Sequence, residues 1–223
     1  MLTHSGSRGP GAHVANFYSK LAMEQHPELP EELKHLAWLD LDTEAGQEYW
    51  AAMELMGRFA SANHACIHDK IFEFMGVEPM LQIENHHNFA WKEKIGGKDV
   101  IVHRKGATPA GKGVLGIIPG SMATPAYVVR GLGSEESINS AAHGAGRRMS
   151  RKKANALFNW EDTKAMLEER QVRLISGGLD ETPGSYKDIN EVMANQSDLV
   201  TPVAKFEPRL VKMAPPQKKH WEK

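Results

Sequence analysis

Four loops collect the residues that can do chemistry. In His143-Gly144-Ala145-Gly146 an imidazole sits among small residues, with Arg147, Arg148 and Arg151 close behind. An uncrowded imidazole is a nucleophile for phosphorus, and nearby cations stabilise the charge that develops. Arg147 and Arg151 are spaced i, i+4, so a helix starting at Arg147 holds both on one face and aims its first N–H groups at a phosphate. His4-Ser5-Gly6-Ser7-Arg8-Gly9 is a second small-residue loop that lets backbone approach an anion or a metal. Glu84-Asn85-His86-His87-Asn88 carries two histidines and polar neighbours able to fix an imidazole tautomer. His103-Arg104-Lys105-Gly106 and Pro119-Gly120-Ser121-Met122 offer cations, N–H groups and a hydroxyl to phosphate oxygens. Each loop also has a plain structural alternative: a surface histidine, a polar strand end, a solvated turn, a charged helix face. Together they suggest phosphoryl or nucleotidyl transfer at a metal-assisted site. Spacing leaves the metal and the substrate open.

The elements that position these loops are α+β. A helix is predicted over 15–25, broken by Pro27 and Pro30. The longest helical pattern runs from Glu48 to Met75. Its stripe of Trp50, Met53, Met56, Phe59, Ile67, Ile71 and Phe74 is expected to be core, and Gly76 closes it. Short strands are predicted at 81–83, 99–102, 114–118, 127–130 and 172–176, separated by Gly/Pro loops. Basic residues fill a predicted helix over 147–157. Asn159 with Asp162 reads as an N-cap pair for a helix over 160–171. A further helix is predicted near 188–196, and the chain is extended over 199–213. The patterned chain runs over 1–213, and 214–223 is taken as a mobile basic tail.

Composition narrows the classes. The 223 residues carry 27 Lys and Arg against 28 Asp and Glu, which excludes a globally basic nucleic-acid binder. Charge is nevertheless segregated: acids dominate 24–48 and bases dominate 147–153. Cys66 is the single cysteine, so an intrachain disulfide and a Cys-cluster zinc site are excluded. With apolar neighbours on the long helix, it is expected to be a buried thiol. The sequence shows no membrane span and no signal pattern, so a cytoplasmic setting is the expectation.

The sequence His4-Ser-Gly-Ser-Arg-Gly, then His87-Asn88, Arg104-Lys-Gly-Ala-Thr, Pro119-Gly-Ser-Met and His143-Gly-Ala-Gly-Arg, in that order, resembles the RtcB family of RNA-splicing ligases. The likeness runs from about Leu2 to Lys212. It implies joining of an RNA 2′,3′-cyclic phosphate or 3′-phosphate end to a 5′-hydroxyl end, with GTP and Mn²⁺, through a GMP-histidine. It implies a fold of mixed short strands, one long helix and long functional loops around a central cleft. By resemblance His143 is the nucleophile, and His4 and His87 are Mn²⁺ ligands. Asn88, Pro119, Gly120, Ser121, Met122, His143, Gly144, Ala145, Gly146, Tyr186 and Lys212 match GTP contacts. Arg8, Arg104, Lys105, Arg147 and Arg151 are the cations expected at substrate phosphates.

The departures are specific. The family's Asp-x-Gly-Cys motif, which by resemblance is expected upstream, is not in this sequence, and a further metal-binding histidine in a Gly-x-x-Asn-His stretch is missing as well. Two imidazoles alone make a poor Mn²⁺ site, because Mn²⁺ prefers oxygen-rich coordination. Ala126 stands where common members carry a serine, so a hydroxyl that would hydrogen-bond the purine is absent. The resemblance therefore implies the C-terminal half of such a ligase, acting on RNA ends with its N-terminal half, as part of a longer gene product or as a separate chain, and with the need for an archease-like activator open. A non-catalytic module binding RNA ends or nucleotide is the alternative.

Overall fold

The computed structural model describes residues 1–215, and the predicted tail over 214–223 lies outside the described residues from 216 onward. The chain divides into two compact units, Met1–Gln82 and Ile83–Lys223.

The first unit is helical. Helix α1 spans Arg8–Gln25, a 3-10 turn covers Glu31–Leu36, and α2 spans Glu44–Met75. α1 starts at Arg8 rather than near Ala15, so only Met1 to Ser7 stay in a loop. Thr43 caps α2 by accepting the Gly46 N–H at 3.2 Å. The Tyr18 and Tyr49 rings pack at 5.2 Å between the two helices. The His4 loop is tied to α2 through Asn63, whose Nδ2 donates to Ser5 Oγ at 2.8 Å, and through Thr3 Oγ1, 2.7 Å from His68 Nε2.

The expected core stripe of α2 is a correction. Only Gly46 and Ala60 are buried on this helix. Trp50, Met53, Met56, Ile67 and Ile71 are half-buried, while Phe59 and Phe74 are exposed. The reason is length within the unit: 18 residues of α1 span about 27 Å and cannot cover the roughly 48 Å of a 32-residue helix. Cys66 is likewise exposed, not buried. It lies with Ala62, Ala65 and Asp69 at i, i+3, i+4 and i+7 spacing, and all four are exposed.

The second unit carries the strands. β1 (Asn88–Ile95) and β2 (Lys98–Lys105) form an antiparallel hairpin. β3 (Ala107–Pro109) pairs with β6 (Ser140–Ala142). β4 (Leu115–Ile118), β5 (Ala126–Gly131) and β8 (Val200–Phe206) make an antiparallel sheet with β5 central. β7 (Arg173–Ser176) runs parallel to β9 (Leu210–Lys212). The predicted strand at 81–83 is paired in no ladder among the described residues.

Three helices complete the unit: α3 (Arg151–Leu157), α4 (Trp160–Glu169) and α5 (Ile189–Ala194). Their caps are Ser150, Asn159 and Asp188, and Asn159 takes the Asp162 N–H at 2.9 Å as the sequence predicts. One core joins Ile118, Tyr127, Val129, Ala141, Ala145, Ile189, Met193 and Val200. A second joins Met122, Ala123, Leu167 and Val172, with Leu174, Val211 and Met213 against it. The described residues are thus mixed helix and strand, and no helix among them is long and apolar enough to cross a membrane.

Candidate active site

β6 delivers His143, and backbone contacts then hold its loop. The Ala145 N–H donates to Pro119 O at 2.9 Å, and the Lys187 N–H donates to Gly146 O at 3.0 Å. His143 N–H reaches Gly106 O at 3.4 Å, while Gly106 N–H donates to His87 O at 3.2 Å. Gly106 therefore bridges the two histidine segments through its own main chain. Its φ of +73° is open to glycine and costly for other residues. The His87 and His143 rings end 4.8 Å apart, tilted by 37°. Two imidazoles that are far apart in sequence thus lie side by side, both half-exposed.

The Pro119–Met122 turn is wound tightly. Ser121 N–H donates to Thr124 Oγ1 at 2.7 Å, and the two hydroxyls lie 2.9 Å apart. A Cβ on Gly120 would lie 2.4 Å from Pro125 O, so only glycine fits. Gly120→Ala is expected to cost about 1–3 kcal/mol through forced backbone displacement. The measurement is the urea midpoint, and an unshifted midpoint would refute the close approach.

The expected ligand contacts fall in different surroundings. Met122 is 1% exposed and fills the second core, and Ala145 fills the first. Their side chains are committed to packing, which leaves only main-chain groups to face a nucleotide. Asn88, which opens β1 opposite Lys105, is exposed, as is Lys105 itself. Lys212 is exposed on β9, and the next residue, Met213, packs beside Met122 in the second core. His4 and Arg8 belong to the helical unit, where both are exposed.

Arg104 is a second correction. Strand alternation sends Lys105 outward and Arg104 inward, where it is 2% exposed. Its guanidinium grips Glu93 with two bonds, at 2.5 and 2.9 Å. It also donates to Ser140 Oγ at 2.8 Å and Ile138 O at 3.0 Å, and lies over the Trp91 ring. A guanidinium so engaged is a structural anchor rather than a phosphate ligand.

Arg147 and Arg151 converge, but not on one helix face. The chain is extended at Arg147, which bridges to Tyr186, and α3 starts only at Arg151. Both arginines turn to Asp180 and Glu181, two acids the sequence analysis passed over. Arg151 pairs with both carboxylates, and Arg147 donates to Asp180 O at 2.7 Å and lies 3.8 Å from Glu181. The signal was present as an Asp-Glu pair after a double glycine. Its relevance depended on a fold contact about thirty residues away.

Tyr186 donates to Glu181, and Arg147 lies over its ring. Burial, with the bond to Glu181 second, pushes the phenol from 10.0 up to about 12. A raised folded pKa means that the protonated phenol is favoured in the folded chain. Its contribution is complete below pH 10 and is lost as pH rises through about 12. The phenolate absorbance lost in Tyr186→Phe is expected only near pH 12, and loss of a step near pH 10 would contradict the burial.

A family model described as tRNA-splicing ligase RtcB matches residues 1–213. The chain belongs to the RtcB family. RNA-splicing ligase RtcB of Escherichia coli K12 is 39% identical over 213 residues, covering 90% of this chain and 52% of its own length. The tRNA-splicing ligase RtcB of Nanoarchaeum equitans is 34% identical over 245 residues, covering 93% and 50%. That of Thermococcus kodakarensis is 31% identical over 244 residues, covering 93% and 51%. This RtcB-family chain thus spans about half the length of the curated relatives it matches.

Mn²⁺, the metal implied for RtcB ligases, is not served by this donor set alone. No cluster of three or more His, Cys, Asp or Glu side chains suited to a metal exists among the described residues. The expected ligands His4 and His87 are both imidazoles, whereas Mn²⁺ favours carboxylate and water oxygens. Cys66, exposed on α2, joins no such cluster among the described residues.

Proposed function

We propose that this chain supplies the nucleotide-accepting part of a GTP- and Mn²⁺-dependent RNA ligase. The reaction joins a 2′,3′-cyclic phosphate or 3′-phosphate RNA end to a 5′-hydroxyl end, in splicing or repair. The observation that carries the proposal is the His87–His143 pair on loops pinned through Gly106 and Pro119, in a chain of the RtcB family. The names of the relatives, RNA- and tRNA-splicing ligases, support the substrate class. The family's α+β cleft fold belongs to the same reading.

In this reading a ring nitrogen of His143 attacks the α-phosphorus of GTP. The N–P bond forms as the bond to pyrophosphate breaks, pyrophosphate leaves with the electron pair, and the other ring nitrogen gives up its proton. A 2′,3′-cyclic end first takes up water to open to a 3′-phosphate with a free 2′-hydroxyl. A 3′-phosphate oxygen then attacks the guanylyl phosphorus as the N–P bond to His143 breaks, and the 5′-hydroxyl, giving up its proton, attacks the RNA phosphorus and expels GMP. Backbone N–H groups of the two pinned loops bind phosphate oxygens. The metal needs oxygen or thiolate donors beyond the described residues, and no step here is assigned to it.

The test is labelling with α-labelled GTP and Mn²⁺, with and without a polypeptide carrying the Asp-x-Gly-Cys motif. Acid-labile, base-stable label is expected on the chain when that polypeptide is present. Absence of label under both conditions would reject the ligase reading. Salt-sensitive RNA binding without label would instead favour a binding module.

A further inference from the structure

The geometry points to Asn85 as the positioning residue that sets the spacing of His87 against His143. The side chain lies two residues before His87 and bonds to neither imidazole. Its Nδ2 donates to Thr108 Oγ1 at 2.9 Å and to Ile117 O at 3.2 Å, and its Oδ1 accepts the Ile117 N–H at 3.2 Å. One amide therefore stitches the His86-His87 segment to β3 and β4 at once.

The consequence runs through register. Thr108 stands opposite Ala141, and Ala107 opposite Ala142, the residue that precedes His143. A segment bonded to Thr108 is thus referenced to the strand that delivers His143. Thr108 is 1% exposed, and its hydroxyl also contacts His86 O at 3.4 Å. The second tie, Gly106 N–H to His87 O, lies just before β3. Asn85 on one side and Gly106 on the other clamp a stretch that has no ladder of its own before Asn88. Without the amide, the Ile117 N–H loses its acceptor and the segment loses its bonds to both β3 and β4 through Asn85, while the Gly106 bond to His87 and the longer Thr108 contact to His86 stay. A planar group that donates twice and accepts once is needed, which suits Asn better than Asp or Ala.

The importance of Asn85 for nucleotide transfer rests on the proposed role of His143. Its importance for geometry does not. The experiment is a ring-to-ring nuclear Overhauser measurement on the full chain with labelled histidine. In the unsubstituted chain the 4.8 Å ring separation should give a His87–His143 cross-peak. Asn85→Ala and Thr108→Val should each lose most of that cross-peak. Thr163→Ala, which breaks the buried hydroxyl pair with Thr182, should keep it. If Asn85→Ala fails to fold, Thr108→Val decides the question at nearly constant volume.

A full-strength cross-peak in either folded variant would overturn the proposal. In the complemented labelling reaction both variants should slow transfer by about a hundredfold, the scale of a 1 Å misplacement. If the unsubstituted chain takes no label, the ligase reading fails while the cross-peak still tests the role of Asn85.

Discussion

His143→Ala is expected to abolish guanylylation, with a loss of more than about a thousandfold in the labelling rate. A nucleophile has no substitute when the intermediate is a bond to its own nitrogen. His143 is half-exposed, and its backbone bonds to Gly106 and through Ala145 to Pro119 do not need the imidazole. The fold should survive, so the thermal midpoint should move by only a few degrees. His87→Ala is the informative neighbour. It removes the ring beside His143 but leaves the nucleophile, so its labelling should fall less and should leave a measurable residue. Comparable label on His143→Ala and the unsubstituted chain would remove this histidine from the chemistry.

Glu93→Ala is expected to be the most destabilising of the substitutions considered, by about 3 kcal/mol or more. It strands Arg104, which is 2% exposed, with only Ser140 Oγ, Ile138 O and the Trp91 face as partners. The cost comes from leaving a buried guanidinium without its counter-charge, so it exceeds the worth of the ion pair. Replacing both partners should therefore hurt less than replacing one. Glu93→Leu with Arg104→Met should recover part of the loss, because an apolar pair of similar size carries no desolvation penalty. Urea unfolding of the single and double variants is the measurement. A single-variant loss below about 1 kcal/mol would make this a surface pair in effect.

The same pair shows where sequence legibility ended. Arg104 and Lys105 are adjacent cations before a glycine, and both were natural phosphate candidates. Strand alternation separates them, yet which one points inward depends on the register of β1 against β2 and on Glu93 eleven residues earlier. Arg147 and Arg151 have helical spacing, but Gly146 and the bridge to Tyr186 keep the chain extended until Ser150 caps α3. The caps themselves, Asn159 above all, were readable because they act over three residues. The stripe of α2 was misjudged because periodicity reports a face and not what covers it. Cys66, one helical repeat beyond the exposed Phe59, is uncovered for the same reason.

By itself the sequence determined the family, through its ordered motifs, and the Asn159 cap, because a capping pair acts through contacts only a few residues long. The tertiary structure alone decided which residues of those motifs meet. It brought His87 within 4.8 Å of His143, turned Arg104 inward onto Glu93, and set Asp180 and Glu181 against Arg147 and Arg151. Charge and ring partners are fixed by strand register and by chain closures of tens of residues. Such distances lie beyond the reach of local spacing.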